Sequence, residues 1–270
     1  MATLPSPAAE FDALWNFEDP AQSERALRTM VERVGADSEA GAELLTQVAR
    51  SQGLQQKFED AHRTLDRVEN LLRSHATRLR ARYLLERGRL LNSSGDPGAA
   101  LPLFAHALGV ALAAGEDFYA VDAAHMVAIA SSGDEQIAWN RRALAMAEGS
   151  PDPRARRWRG SLYNNLGWTH HARGEFDDAL HCFDQALRAR EEQGDTTLIR
   201  IARWCVARGL RSLGRVEEAL AIQRALLAEH ERARTVDRAV YEELIACLTA
   251  LGRSDEAQEY EARLVTAAGR

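Results

Sequence analysis

One pattern of small and apolar residues recurs about six times along this chain and restricts its fold more than any other feature. The clearest copy spans residues 161–190, where Leu162, Leu166 and Thr169 share one helical stripe. Gly174 interrupts this stripe. A second stripe follows with spacings of three and four residues, formed by Phe176, Ala179, Leu180, Phe183, Ala186 and Leu187. The pattern predicts two amphipathic helices joined by a short turn.

The other copies show the same signals in the same order. They start near Ala42, Ala81, Phe118, Arg200 and Arg238, and consecutive starts are about 36 to 43 residues apart. The copy near Phe118 departs furthest from the pattern, with a shortened turn at residues 131–135. A register that returns this often predicts an all-α array in which each repeat is one helix pair.

The copy at residues 161–190 resembles a tetratricopeptide repeat. The residues that match this family's packing positions are Tyr163, Leu166, Gly167, Gly174, Phe176, Ala179, Phe183 and Ala186. The resemblance extends over about residues 42–265 and implies a right-handed superhelical α-solenoid of antiparallel helix pairs, in a variant with long helices. It also implies that the first helix of each pair lines a concave groove. His170 stands at a usually aromatic packing position, so we interpret it as a core histidine.

The first 40 residues precede the array. We expect residues 1–40 to form an N-terminal segment and a capping helix, with Ser23 as its N-cap, and residues 41–270 to form the repeats. Four residues of the segment are too apolar to remain in water: Phe11, Leu14, Trp15 and Phe17. They either pack on the first repeats or fold into the groove and gate it.

Charge and composition narrow the possible partners. The chain carries 34 Lys and Arg against 40 Asp and Glu, a net charge of -6, which argues against a nucleic-acid partner. Three cysteines without CxxC spacing predict reduced thiols. The N-terminus lacks the pattern of a secretory signal, and no apolar run is long enough to cross a membrane. We therefore expect a cytoplasmic protein with no membrane partner.

The predicted groove is rich in side chains that recognise ligands. Positions two, five, six, nine, twelve and thirteen of each first helix should face it, and we consider positions five, six, nine and twelve. Arginine suits carboxylates or phosphates, asparagine suits a peptide backbone, and the two tryptophans have no obvious place in the packing stripe. These positions predict a site for a peptide, a protein partner or a small anionic molecule, formed by Arg89, Asp122, His125, Asn164, Asn165, Trp168, His171, Trp204 and Arg208. In peptide-binding members of this family, an asparagine at the position of Asn165 helps to hold a terminal carboxylate together with lysines and arginine. The lysines have no counterpart in this sequence.

Three alternatives remain at this stage. The arginines can instead pair with Glu43, Glu86 and Asp122 in an ion-pair ladder that stabilises the array. An enzyme can use Asp122, His125, Arg208 and the tryptophans, because Asp122 and His125 share a helix face. The chain can also be an assembly protein that binds on its convex side. No motif for a phosphate loop, a metal site or a nucleophile is present, so we expect no cofactor and no metal.

Overall fold

The computed structural model describes residues 13–72 and 77–268, of which 83% are helical and none forms a strand. Fourteen helices are present in these residues: α1 (Pro20–Val34), α2 (Glu39–Leu54), α3 (Phe58–Leu71), α4 (Thr77–Ser93), α5 (Pro97–Ala113), α6 (Asp117–Ala130), α7 (Gly133–Gly149), α8 (Pro153–Arg156), α9 (Arg159–Ala172), α10 (Phe176–Gln193), α11 (Thr196–Ser212), α12 (Val216–Ala233), α13 (Arg238–Ala250) and α14 (Ser254–Ala268). The all-α prediction is confirmed.

The helices are arranged in two compact units, Met1–Arg156 and Arg157–Arg270. Unit 1 contains the pairs α2–α3, α4–α5 and α6–α7, and unit 2 contains the pairs α9–α10, α11–α12 and α13–α14. Within each unit, consecutive helices pack against each other, and the first helices of neighbouring pairs are also in contact. These six pairs correspond to the six repeats predicted from the sequence. The division at residue 40 into a segment and an array stays a prediction.

Glycine ends the first helix of every pair in unit 2. Gly174, Gly214 and Gly252 have φ values of 76°, 76° and 72°, in the left-handed region where a β-carbon is unfavourable. Each glycine closes the short turn that leads into the second helix. The predicted end of a helix at Gly174 is therefore confirmed.

Helix α1 packs on α2 and buries Leu27 and Val31, as a capping helix should. Its N-cap, however, is Asp19, whose side chain accepts a hydrogen bond from the backbone N–H of Gln22 at 2.8 Å. The prediction of Ser23 as N-cap is wrong. Ser23 is fully buried inside the helix, and its hydroxyl donates to the carbonyl oxygen of Asn16 at 2.9 Å.

The apolar N-terminal segment contacts α2 of the first helix pair. Phe11 of this segment lies outside the described residues. Trp15 and Phe17 stack with ring centroids 5.0 Å apart. The guanidinium of Arg50 on α2 lies 5.6 Å from the Trp15 ring centre and 5.9 Å from that of Phe17. Trp15 is half-buried, whereas Phe17 is 65% exposed. This part of the segment thus packs on α2, and gating of a groove stays a prediction.

Among the described helices, none combines the length and the apolar character that a membrane span requires.

Candidate functional site

Contact between neighbouring first helices decides which predicted site residues reach the surface. Side chains at the sixth position of the repeat lie against the adjacent first helix. Five of them are at most 7% exposed: Gln47, Glu86, Asp122, Cys205 and Glu243. The prediction that the sixth position opens onto a groove is wrong for these residues, including Asp122. The ninth position stays partly open, since Arg50, Arg89, His125, Trp168 and Arg208 are half-buried.

In unit 1 the buried carboxylates bind the arginines. Arg89 on α4 forms an ion pair with Glu86 at 2.6 Å and another with Asp122 on α6. Arg50 on α2 lies 3.8 Å from the same Glu86 carboxylate. Desolvation by burial acts against the charge of Arg89, but the two carboxylates outweigh it and raise the pKa of the guanidinium. Arg89 is thus bound within the protein.

A further ion pair extends this arrangement. Arg82 on α4 lies 3.6 Å from the carboxylate of Glu43 on α2, and both side chains are less than 10% exposed. The Nε of Arg82 donates to the hydroxyl of Tyr119 at 2.6 Å, and its guanidinium lies 5.3 Å from the Tyr119 ring centre. The interpretation of the arginines as an ion-pair ladder with Glu43, Glu86 and Asp122 is confirmed in unit 1.

His125 lies on α6 one helical turn after Asp122. Burial lowers the pKa of His125 to about 4; the Asp122 carboxylate opposes this shift, and the charges of Arg89 and Arg50 add to it. The imidazole is therefore neutral at pH 7. Asp122 itself is engaged by Arg89. The predicted acid–base pair is thus a buried carboxylate in an ion pair beside a neutral histidine.

In unit 2 the two tryptophans are partly packed. Trp168 on α9 lies edge-on to Phe183, with centroids 5.1 Å apart, and tilted to Trp204, with centroids 6.0 Å apart. Nε1 of Trp204 on α11 donates to the carbonyl oxygen of Ala239 on α13 at 3.1 Å. Both side chains are half-buried and pack against the core of the unit. The expectation that they have no place in the packing is wrong, although each keeps some exposed surface.

Two polar side chains near the tryptophans form hydrogen bonds to neighbouring side chains. The Asn164 side-chain oxygen accepts a hydrogen bond from the Cys205 thiol at 3.3 Å, and Nε2 of His171 lies 2.8 Å from the hydroxyl of Ser212. Asn165 is half-buried. We call six residues of α9 and α11 the unit 2 face: Asn164, Asn165, Trp168, His171, Trp204 and Arg208.

Arg208 is the exception in this face. Its neighbour Arg211 forms an ion pair with Glu243 on α13. Arg208 itself forms no hydrogen bond or ion pair with any residue in 13–72 or 77–268. Burial lowers the pKa of His171, and the charges of Arg208 and Arg211 lower it further, while Glu243 opposes them. The unit 2 face therefore combines partly exposed rings with a cation that has no partner in the described part of the chain.

Burial sets the chemistry of two thiols beside this face. It raises the pKa of Cys205 to about 11 and that of Cys247 to about 11. Both thiols are protonated at pH 7, and the nearby charges of Arg208 and Arg211 do not reverse the shift at Cys247.

A cluster that sequence reasoning missed lies at the turn between α9 and α10. His170 is buried, as predicted for a core histidine, and its Nδ1 is 2.5 Å from the Glu175 carboxylate. Donor atoms of His170, Glu175 and Asp178 all lie within 4.8 Å of one another, so these three residues can hold a metal ion. The signal that could have revealed them is their spacing in sequence: Glu175 follows His170 by five residues and precedes Asp178 by three, at the turn between the two helices. Arg173 also contacts Glu175 at 3.0 Å.

The comparisons with known proteins agree with this architecture. The family model described as Tetratricopeptide repeat matches residues 159–192, which correspond to the pair α9–α10. These residues form a tetratricopeptide repeat. The other pairs repeat the same arrangement, and solved structures that are similar to this chain include tetratricopeptide-like repeat proteins. None of the curated proteins matches the chain in sequence.

Three solved structures illustrate the likeness in fold. BtubC from P. vanneervenii is 16% identical with a TM-score of 0.62, over 82% of this chain and 92% of that one. A STAND ATPase with a tetratricopeptide repeat sensor from Pyrococcus horikoshii is 13% identical with a TM-score of 0.72, over 96% of this chain and 42% of that one. NprR in complex with its cognate peptide NprX is 14% identical with a TM-score of 0.54, over 99% of this chain and 80% of that one.

Proposed function

We propose that this chain is a binding protein that holds a peptide or a small anionic molecule on the unit 2 face. The observation that carries the proposal is that Arg208 has no hydrogen bond or ion pair among the described residues and lies one helical turn after Trp204, whose ring and that of Trp168 are partly exposed. A partly exposed guanidinium without a carboxylate partner among the described residues offers its donors to an anionic ligand. Exposed parts of aromatic rings offer an apolar or planar group a surface on which to stack.

Three predicted site residues take a different role in this proposal. Arg89 and Asp122 neutralise each other, and His125 is a neutral, largely buried side chain beside them. A ligand anion would have to displace a buried carboxylate to reach Arg89, which costs several kcal/mol, on the order of 3 to 5. We therefore assign Arg89, Asp122 and His125 to the stability of unit 1.

Proteins of similar fold support a role in binding peptides. NprR was solved in complex with its cognate peptide NprX, and a Rap protein that is 16% identical to this chain was solved with Competence and Sporulation Factor. Asn164 and Asn165 supply amide groups of the kind that hydrogen-bond a peptide backbone.

Two measurements on the whole chain test the proposal. Native mass spectrometry of the purified protein, followed by binding assays with a random octapeptide library, should detect a bound ligand. Arg208→Ala should remove that binding and leave the melting temperature within about 2 °C, because Arg208 loses no partner within residues 13–72 and 77–268. Arg200→Ala on the same helix, where Arg200 pairs with Glu229, is the matched control and should keep the ligand. Loss of binding in both variants, or in neither, would contradict the proposal.

A further inference from the structure

The turn between α9 and α10 can be compared with the two matching turns of unit 2. The three turns align on their left-handed glycines, Gly174, Gly214 and Gly252. In each turn, the residue after the glycine donates its backbone N–H to the carbonyl oxygen of the residue four positions before the glycine, at 2.9 to 3.0 Å. The three turns therefore share a backbone hydrogen bond, and their side chains can be compared position by position.

The turns at Gly214 and Gly252 each contain an ion pair between an arginine and a glutamate. The arginine directly follows the glycine, and the glutamate comes three residues later. Arg215 forms an ion pair with Glu218 at 2.7 Å. Arg253 pairs in the same way with the residue at 256, at 2.5 Å. The position four residues before the glycine holds a leucine that is at most 5% exposed in both turns.

The turn between α9 and α10 departs from this pattern at all three positions. Glu175 stands where the other turns have arginine, Asp178 where they have glutamate, and His170 where they have leucine. His170 is buried, and its Nδ1 lies 2.5 Å from Oε2 of Glu175. Oε1 of Glu175 accepts a hydrogen bond from Arg173 at 3.0 Å, whereas the Asp178 carboxylate has no hydrogen bond or ion pair within residues 13–72 and 77–268. Two carboxylates therefore lie together here without the arginine that pairs with the acid in the other turns.

We infer that His170, Glu175 and Asp178 bind a divalent transition-metal ion such as Zn²⁺ at the turn between α9 and α10. Their donor atoms already lie within 4.8 Å of one another. Ligand atoms around a tetrahedral zinc ion stand roughly 3.3 Å apart, because the metal–ligand bonds are about 2.0 to 2.2 Å long. Movements of about 1 Å in the partly exposed Glu175 and the exposed Asp178 side chains reach this geometry. This site is separate from the unit 2 face and does not depend on the binding function proposed for that face.

The three ligands favour a transition metal over Mg²⁺ or Ca²⁺. An imidazole nitrogen suits Zn²⁺ and its neighbours in the first transition row, whereas Mg²⁺ and Ca²⁺ prefer oxygen ligands alone. The metal would bind Nδ1 of His170, and the proton of the neutral imidazole would then lie on Nε2. Glu175 can offer Oε2 to the metal while Oε1 still accepts from Arg173, a contact that orients the carboxylate. The two carboxylates balance the charge of a divalent ion.

A metal ion would take the role that the arginine–glutamate pairs have in the other two turns. His170 lies in the last turn of α9, Glu175 is the N-cap of α10, and Asp178 lies in the first turn of α10. The Glu175 side chain makes no capping hydrogen bond, so it is free to bind a metal without uncapping the helix. The ion would connect the two helices across Gly174. Because it binds the folded turn, it should raise the stability of the protein.

The experiment titrates Zn²⁺ into the whole protein, treated with EDTA and desalted, by isothermal titration calorimetry. We expect one Zn²⁺ to bind per chain, and Mg²⁺ and Ca²⁺ to bind at least about ten-fold more weakly. His170→Leu and Asp178→Asn should each weaken Zn²⁺ binding by about ten-fold or more. The matched controls are His181→Gln and Asp177→Asn, which change exposed side chains of the same helix α10 and should retain the binding.

Thermal unfolding supplies a second readout. Zn²⁺ should raise the melting temperature of the native protein relative to the protein in EDTA. Glu175→Arg restores the residue type of the other two turns and can pair with Asp178. This variant should therefore melt in EDTA no lower than the native protein, and Zn²⁺ should no longer raise its melting temperature. His170→Leu should fold as well, because the matching turns carry leucine at this position.

Four results would overturn the inference. They are the absence of Zn²⁺ binding, equal Zn²⁺ binding in His170→Leu and the native protein, loss of binding in His181→Gln, and Mg²⁺ or Ca²⁺ binding as tight as that of Zn²⁺. The last result would indicate acidic side chains that attract any divalent cation. If Asp178→Asn weakens binding and His170→Leu does not, the histidine is a packing residue only and the site as proposed is wrong.

Discussion

Gly167 on α9 lies directly against the ring of Phe183 on α10, so closely that a β-carbon at residue 167 would be 2.5 Å from two ring carbons. The same relationship exists in unit 1, where a β-carbon on Gly88 would be 2.5 Å from the ring of Phe104. Both phenylalanines are fully buried. In each of these two pairs, the absence of a side chain on the first helix makes room for an aromatic ring on the second.

We expect Gly167→Leu to destabilise the protein by roughly 1 to 3 kcal/mol or more, because the new side chain would overlap the Phe183 ring. Asn165→Ala should cost less, since Asn165 is half-buried and its truncation creates no overlap. Urea unfolding midpoints measure both changes. If Asn165→Ala proves the more damaging, our assignment of helix faces in this repeat is incorrect. Phe183→Leu, introduced into Gly167→Ala, should recover part of the stability that Gly167→Ala loses.

Removing Arg89 should be far more damaging than removing Arg208. Arg89→Met leaves the buried carboxylates of Glu86 and Asp122 without their main partner, and we expect a loss of about 3 to 5 kcal/mol. Arg208→Met breaks no ion pair with any residue that the structure describes and should change the unfolding free energy by less than about 0.5 kcal/mol. Urea unfolding at pH 7 compares the two variants. Similar losses in both would mean that Arg208 is engaged within the protein, which would also remove the basis of the proposed site.

His125 should make the protein less stable as the pH falls from about 6.5 to about 4. Burial lowers the pKa of the folded histidine to about 4 from the ordinary 6.5. Between these values the unfolded chain binds a proton at His125 that the folded chain does not bind. This contribution to stability is therefore fully present above pH 6.5 and is lost as the pH falls through the folded pKa.

The measurement for His125 is the unfolding free energy as a function of pH. His125→Gln should reduce its slope in this window by up to about 1.4 kcal/mol per pH unit, the value for one proton. The control is His106→Gln on α5, where the side chain is exposed and the curve should keep the slope of the native protein. An unchanged slope in His125→Gln would show that this histidine is not buried in its neutral form.

The sequence alone predicts the helices and their pairing because the signals are local. Apolar spacings of three and four residues define the helical stripes, and Gly174, Gly214 and Gly252 mark the turns. The role of Gly167 against the second helix also follows from the repeat register. The N-cap of α1 cannot be identified from the sequence, because Ser23 and Asp19 are both good caps by residue type. Burial of the Ser23 hydroxyl against Asn16 leaves Asp19 to cap the helix.

What the sequence by itself determined is thus the six helix pairs and the set of arginines, tryptophans and amides on their first helices. Only the tertiary structure decided which of these side chains are available to a ligand. Neighbouring first helices cover the sixth position of the repeat, so the acids there are buried and bind whichever arginine lies opposite. Arg89 meets Asp122 and is neutralised, whereas Arg208 has no partner among the described residues and Glu243 is engaged by Arg211. Such pairing depends on distances between side chains on different helices, and the spacing of residues along one helix does not contain that information.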